Sequence, residues 1–250
     1  MLAARLALAT LALSRADELA TDALASAAVL VLAAVAIASF AREPLARRLG
    51  LGASSLGVGR VALCAIGLAG LSHAAEGVVA LAGFSTVGLV RFDDALAGVH
   101  LDDLAFPLLA LSLASAFGEE LFFRGMLQRG LEPRFGTVAA IAVTSIAFGA
   151  AHDDWTQGAA AAVLGSYLGV VAARTGSIRP AIAAHAVNNA LALVEKSIGF
   201  ELPGGPIATL LEIGAGVALG AVALRSLWAR SEPGDALQPR AGCTDEPGDA

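Results

Sequence analysis

Seven runs of mostly apolar residues are spaced along the chain, at 22-41, 58-83, 104-127, 137-152, 158-173, 180-195 and 206-227. A helix needs roughly 20 such residues to cross a bilayer core, and several of these runs are somewhat shorter. None shows the alternation, over about ten residues, of a membrane barrel strand. The stretch 137-173 would read as one long span if His152, Asp153 and Asp154 did not divide it. Met1 to Leu13 is also apolar, but it is short and carries Arg5, so 1-21 reads as an interfacial helix or part of an extra span. The pattern predicts an all-α, polytopic transmembrane helical bundle with seven or eight spans.

The loops between these runs alternate in charge. Arg42, Arg47, Arg48 and Arg60 follow the first run, Arg129 and Arg134 the third, Arg174 and Arg179 the fifth, and Arg225, Arg230 and Arg240 the seventh. The intervening loops carry Asp93, Asp94, Asp102 and Asp103, then Asp153 and Asp154, then Glu195 and Glu201. Basic loops stay on the cytoplasmic side, so the alternation supports the count of runs and predicts a cytoplasmic C-terminus. Residues 22-103 form the N-terminal transmembrane helices and 196-230 the last one. From Ser231 onward Pro, Gly, Asp and Glu prevail, which predicts a disordered acidic tail over 231-250.

Composition sharpens this picture. Hydrophobic residues make up 57% of the 250 and charged residues 15%, against an average near 25% in soluble domains. Mean hydropathy is +0.74. A cytosolic globule is excluded, and the net charge of -6 without a basic stripe excludes a nucleic-acid binder. Cys64 and Cys243 are too few for a disulfide framework and lack zinc spacing. One lysine, Lys196, stands against many arginines in an Ala- and Gly-rich chain. That bias points to a GC-rich genome and a bacterial cytoplasmic membrane.

Charges inside a span cost at least about 2.5 kcal/mol near the bilayer centre, so those that occur there read as functional. Glu119 and Glu120 are adjacent and project about 100° apart on a helix. Glu120 and Arg124 stand four apart and can pair on one face, leaving Glu119 without a local cation. His152 follows Phe148 by four residues at a helix end, where an interfacial histidine is the plain alternative. His185 and Asn189 share one face of a helix that begins near Pro180, and a polar helix–helix contact is equally open for them. His73 and Glu76, one turn apart, read as a local polar contact, and His100 as a solvated loop residue. Counting about 1.5 Å per residue from the cytoplasmic helix ends places Glu119 at about 15 Å, His152 at about 22 Å and His185 at about 8 Å. Depth alone does not bring them together.

Read in order, the three clusters resemble the CPBP family of intramembrane proteases, also called the ABI or type II CAAX prenyl protease family. Its motifs EExxxR, FxxxH and HxxxN correspond to Glu119 to Arg124, Phe148 to His152, and His185 to Asn189. The resemblance covers 104-195, which it marks as the catalytic helical core. It implies an intramembrane endopeptidase in which Glu119 and His152 activate a water. His185 and Asn189 would stabilise the oxyanion, with Glu120, Arg124 and Phe148 in support. It also implies a peptide or membrane-protein substrate, possibly prenylated, met within the lipid bilayer. A metal-free mechanism is favoured, with no cofactor. The alternative is zinc held by Glu119, His152 and His185, the three-ligand pattern of catalytic zinc.

Other readings place different chemistry on the same residues. A catalytically silent scaffold or a bacteriocin self-immunity protein would keep the fold without turnover. A transporter would use intramembrane His, Glu and Arg as an ion path, but no inverted repeat is visible. Serine chemistry lacks a GxSxG-like elbow.

Overall fold

The computed structural model describes residues 14–84, 92, 94–96, 99–152, 154–200 and 204–228. The predicted N-terminal segment Met1 to Leu13, Asp153 and the tail 231-250 lie outside the described residues. Eight helices carry the architecture: α1 (Arg15–Ser39), α2 (Leu45–Arg48), α3 (Val58–Leu81), α4 (Ala105–Phe135), α5 (Thr137–Ala150), α6 (Trp155–Thr175), α7 (Arg179–Ser197) and α8 (Pro206–Ser226). No strand occurs among the described residues. Each of the seven apolar runs contains one long helix.

Five of these helices, α1, α3, α4, α6 and α8, are long and apolar enough to cross a membrane. With 14 residues, α5 reaches only about 21 Å, short of a core about 30 Å thick. α7 has the length but carries His185, Asn188, Asn189, Glu195 and Lys196. The two largest outward shifts from the sequence expectation are the start of α1 and the end of α4. α1 begins at Arg15, because Ser14 Oγ accepts the Asp17 N–H at 3.2 Å and caps it. α4 runs on to Phe135, where Gly136 takes a left-handed φ of 79° and lets the chain reverse into α5.

Asp154 accounts for the break between α5 and α6. Its Oδ1 accepts the N–H groups of Thr156 at 2.9 Å and Gln157 at 3.1 Å, starting a new helix. Small residues then set how closely the helices approach. A Cβ on Gly70 would lie 3.1 Å from the Gly216 Cα, so α3 and α8 meet backbone to backbone. Gly149 of α5 faces the Gly158 backbone of α6 in the same way, and Gly118 of α4 faces the Ala27 backbone of α1. The buried Tyr167 hydroxyl donates to the Cys64 carbonyl at 2.9 Å, tying α6 to α3.

Charge segregates between the two ends of the bundle. The Arg129 guanidinium donates to the carbonyls of Arg47, Arg48 and Gly176, each at 3.3 Å, and so gathers three basic loops at one end. Arg174 stacks over Trp228 near that end, 4.4 Å from the ring centroid. At the opposite end Phe84 meets Trp155 edge to face, with centroids 5.1 Å apart.

Candidate active site

α4 is not uniformly wound. It is π-helical over Leu108–Ala114 and again over Leu121–Gln128, with one α-helical stretch, Ser115–Glu120, between them. π winding is rare and often marks functional sites, because it re-aims side chains and loosens backbone carbonyls from their usual partners. Both effects are visible. The Leu111 carbonyl, in the first π stretch, accepts the Asn189 side-chain N–H from α7 at 3.2 Å. The stretch between the π segments ends on the two carboxylates.

Glu120 points into the bundle, with 0% of its surface exposed, and Arg124 is 1% exposed. Arg124 Nη1 donates to Glu120 Oε1 at 2.6 Å, and Nη2 donates to the Gly165 carbonyl of α6 at 3.0 Å. The guanidinium also lies 4.6 Å from the Phe148 ring centroid. Arg124 therefore joins α4, α5 and α6 while neutralising Glu120. Gly165 leaves room for it: a Cβ there would sit 2.9 Å from Arg124 Nη2 and 3.0 Å from the Phe148 ring. Among the described residues the most buried ion pair is thus the expected i, i+4 pair, seated by a glycine and an aromatic ring.

The same Glu120 oxygen has a second partner. His185 Nδ1 lies 2.9 Å from Oε1. That oxygen already accepts from arginine, so His185 Nδ1 carries the proton and donates. Its Nε2 then faces the other carboxylate, 3.6 Å from Glu119 Oε2, just beyond a direct hydrogen bond. Glu119 Oε1 accepts the Ser115 hydroxyl at 2.8 Å. Glu119 is therefore held on one oxygen by Ser115, while its other oxygen faces His185 across a gap wider than a hydrogen bond.

His152 ends α5. Its Nδ1 lies 2.9 Å from the Phe148 carbonyl, which can only accept, so Nδ1–H donates and Nε2 is the nitrogen left for other chemistry. Phe148 packs edge to face on His152 at 5.1 Å and on His185 at 6.0 Å. The phenylalanine of the second motif thus touches both histidines and the arginine. It serves as the wall against which they are set.

Ser115, Glu119, His152, His185, Asn188 and Asn189 line one cavity of about 360 Å³. The structure therefore brings the predicted Glu119, His152, His185 and Asn189 to a single space, while Glu120 and Arg124 stay behind it. The unequal depths counted from sequence have a physical cause. α4 extends to Phe135, so Glu119 is about 24 Å from its basic end, close to the value of about 22 Å for His152. The start of α7 is itself embedded: Ile178 is buried and its N–H donates to the Gly50 carbonyl at 2.9 Å. Helix ends were a poor ruler because they do not share one level.

Ser115 and Asn188 were missed. A serine four residues before a glutamate inside an apolar run is a usable signal, whereas Asn188 beside Asn189 is not separable by spacing. Glu76 also lines the cavity, and His73 lies 4.0 Å from it, closer to Glu195 at 3.4 Å and Glu212 at 3.9 Å. The expected local contact is one edge of a four-residue cluster joining α3, α7 and α8. His100 is exposed, as a loop residue would be.

The donor set does not gather into a zinc site. Among the described residues no three His, Cys, Asp or Glu side chains are grouped so as to hold one ion. The arrangement does not fit the three-ligand alternative of Glu119, His152 and His185.

Comparison with known families agrees with the motifs. Residues 102–191 match the family model described as Type II CAAX prenyl endopeptidase Rce1-like. That interval contains all three motifs and most of the cavity-lining residues of α4 to α7. No curated protein and no solved structure matches the chain.

Proposed function

We infer from the match of residues 102–191 to the Rce1-like family model that the protein is an intramembrane endopeptidase acting through the cavity of Glu119 and His152. The supporting observation is the convergence of one carboxylate, two imidazoles and an amide, from three helices, on one space inside an apolar bundle. Peptide hydrolysis needs an activated water and donors aimed at the developing oxyanion.

In this reading Glu119 takes a proton from a water that His152 Nε2 orients. The water oxygen bonds to the scissile carbonyl carbon, and the carbonyl electrons move to its oxygen. His185 Nε2–H and the Asn189 amide receive that oxyanion. His185 does so in its doubly protonated form, with Glu120 as its counter-charge across Nδ1. Collapse of the intermediate breaks the C–N bond, and the proton held by Glu119 passes to the leaving amine. Glu120, Arg124 and Phe148 hold His185 and His152 in place and do not touch the substrate.

The proposal extends to setting. Beyond the five apolar helices, α5 and α7 complete seven spans, supported by their packing among the others and by the alternating loop charges. The basic end and the C-terminus then face the cytoplasm of a bacterial cell. The substrate is a peptide or membrane-protein segment that enters from the bilayer, and a prenylated C-terminal peptide is the first to test. The test is a comparison of membrane peptides by mass spectrometry between wild type and Glu119→Ala. Cleavage products confined to wild type support the reading. Identical peptides, with both proteins inserted at equal levels, favour a silent scaffold or immunity protein.

A further inference from the structure

We propose that Ser115 is a positioning residue for Glu119: its hydroxyl holds the carboxylate away from His185 so that one oxygen stays available to the hydrolytic water. The proposal deepens the endopeptidase reading and rests on it.

Three distances carry the argument. Ser115 Oγ donates to Glu119 Oε1 at 2.8 Å, and both residues line the cavity. On the other side Glu119 Oε2 stands 3.6 Å from His185 Nε2, a gap wider than a hydrogen bond. His185 is meanwhile fixed from behind by Glu120 at 2.9 Å. A glutamate has three side-chain torsions, so an unrestrained carboxylate samples several positions. Among the described residues, the Ser115 hydroxyl donates the hydrogen bond that holds Glu119 against its attraction to the imidazole. Without the serine hydroxyl, the carboxylate closes the remaining gap and forms a direct contact with Nε2. That contact would consume the oxygen needed for water and the nitrogen needed for the oxyanion.

The winding of α4 makes this restraint possible. Ser115 and Glu119 both lie in the α-helical stretch enclosed by two π segments, and their i, i+4 spacing places the hydroxyl over the carboxylate. Ser112, three residues earlier, lies in the π stretch, and its buried hydroxyl has no partner. It provides an internal control: a serine on the same helix without the contact.

The test uses the full chain in lipid nanodiscs with two probe peptides, one farnesylated with a CAAX-type C-terminus and one unprenylated transmembrane peptide. The working probe is whichever wild type cleaves and Glu119→Gln does not. Ser115→Ala and Ser115→Val are expected to lower kcat by about 10- to 100-fold with KM changed less than about twofold, the scale of a misplacement near 1 Å. Ser115→Thr, which keeps the hydroxyl, is expected to return kcat to within about threefold of wild type. Ser112→Ala should leave kcat unchanged. Equal kcat for Ser115→Ala and wild type, with Glu119→Gln inactive, overturns the Ser115 role alone. So does equal failure of the Thr and Val variants while their melting temperatures match wild type. If wild type cleaves neither probe, the endopeptidase reading falls and takes this proposal with it.

Discussion

His185 Nδ1 and Glu120 Oε1 lie 2.9 Å apart, and the same oxygen takes the Arg124 guanidinium at 2.6 Å. The first and third motifs are therefore joined through one carboxylate oxygen, with α4 and α7 held at a fixed distance.

Removing that carboxylate should be costly in two ways. Glu120→Ala leaves Arg124 buried with only the Gly165 carbonyl and the Phe148 ring as partners. Breaking a buried pair from one side costs about 3–5 kcal/mol. The expected result is a lower unfolding midpoint in detergent and loss of cleavage even in the folded fraction, because His185 loses its orienting acceptor. Thermal unfolding and a cleavage assay on the same preparation check both.

The glycine seam between α3 and α8 should behave in the opposite manner. Gly216 meets the Gly70 backbone, with Ala74 3.1 Å from the position its Cβ would take. Neither glycine lines the catalytic cavity. Gly216→Ala should lower the unfolding midpoint while kcat per folded molecule stays within about twofold of wild type. Active-site titration of the surviving fraction checks this.

Asn189 spends one N–H on the Leu111 carbonyl and lines the cavity. As an oxyanion donor, its loss should fall on kcat rather than KM. Asn189→Ala is expected to cost about 10² to 10³ in kcat, the usual effect of removing one such donor. Steady-state kinetics on the working probe measure it.

Much of this was legible before any coordinates. Apolar runs and alternating charges located every long helix, because a bilayer leaves few ways to place polar residues. Asp154 marked the division of 137-173, which its side chain then produces by capping α6. The Glu120–Arg124 pair followed from helical spacing. The join from Glu120 to His185 did not, since it spans 65 positions and depends on how α7 is seated against α4. The π winding of α4 was also invisible, as nothing in Leu108 to Ala114 departs from an ordinary apolar helix. Ser115 lay in plain view but reads as a neutral helix residue until its partner is known to face a cavity.

The central claim is that Glu119 activates the water that cleaves a peptide bond. Its most direct test is cleavage of the working probe by purified protein in nanodiscs, comparing wild type with Glu119→Gln. That change keeps the size of the side chain and removes its ability to take a proton. The account predicts turnover in wild type and none in Glu119→Gln, with equal probe binding and equal unfolding midpoints. Turnover in Glu119→Gln at the wild-type rate would contradict it.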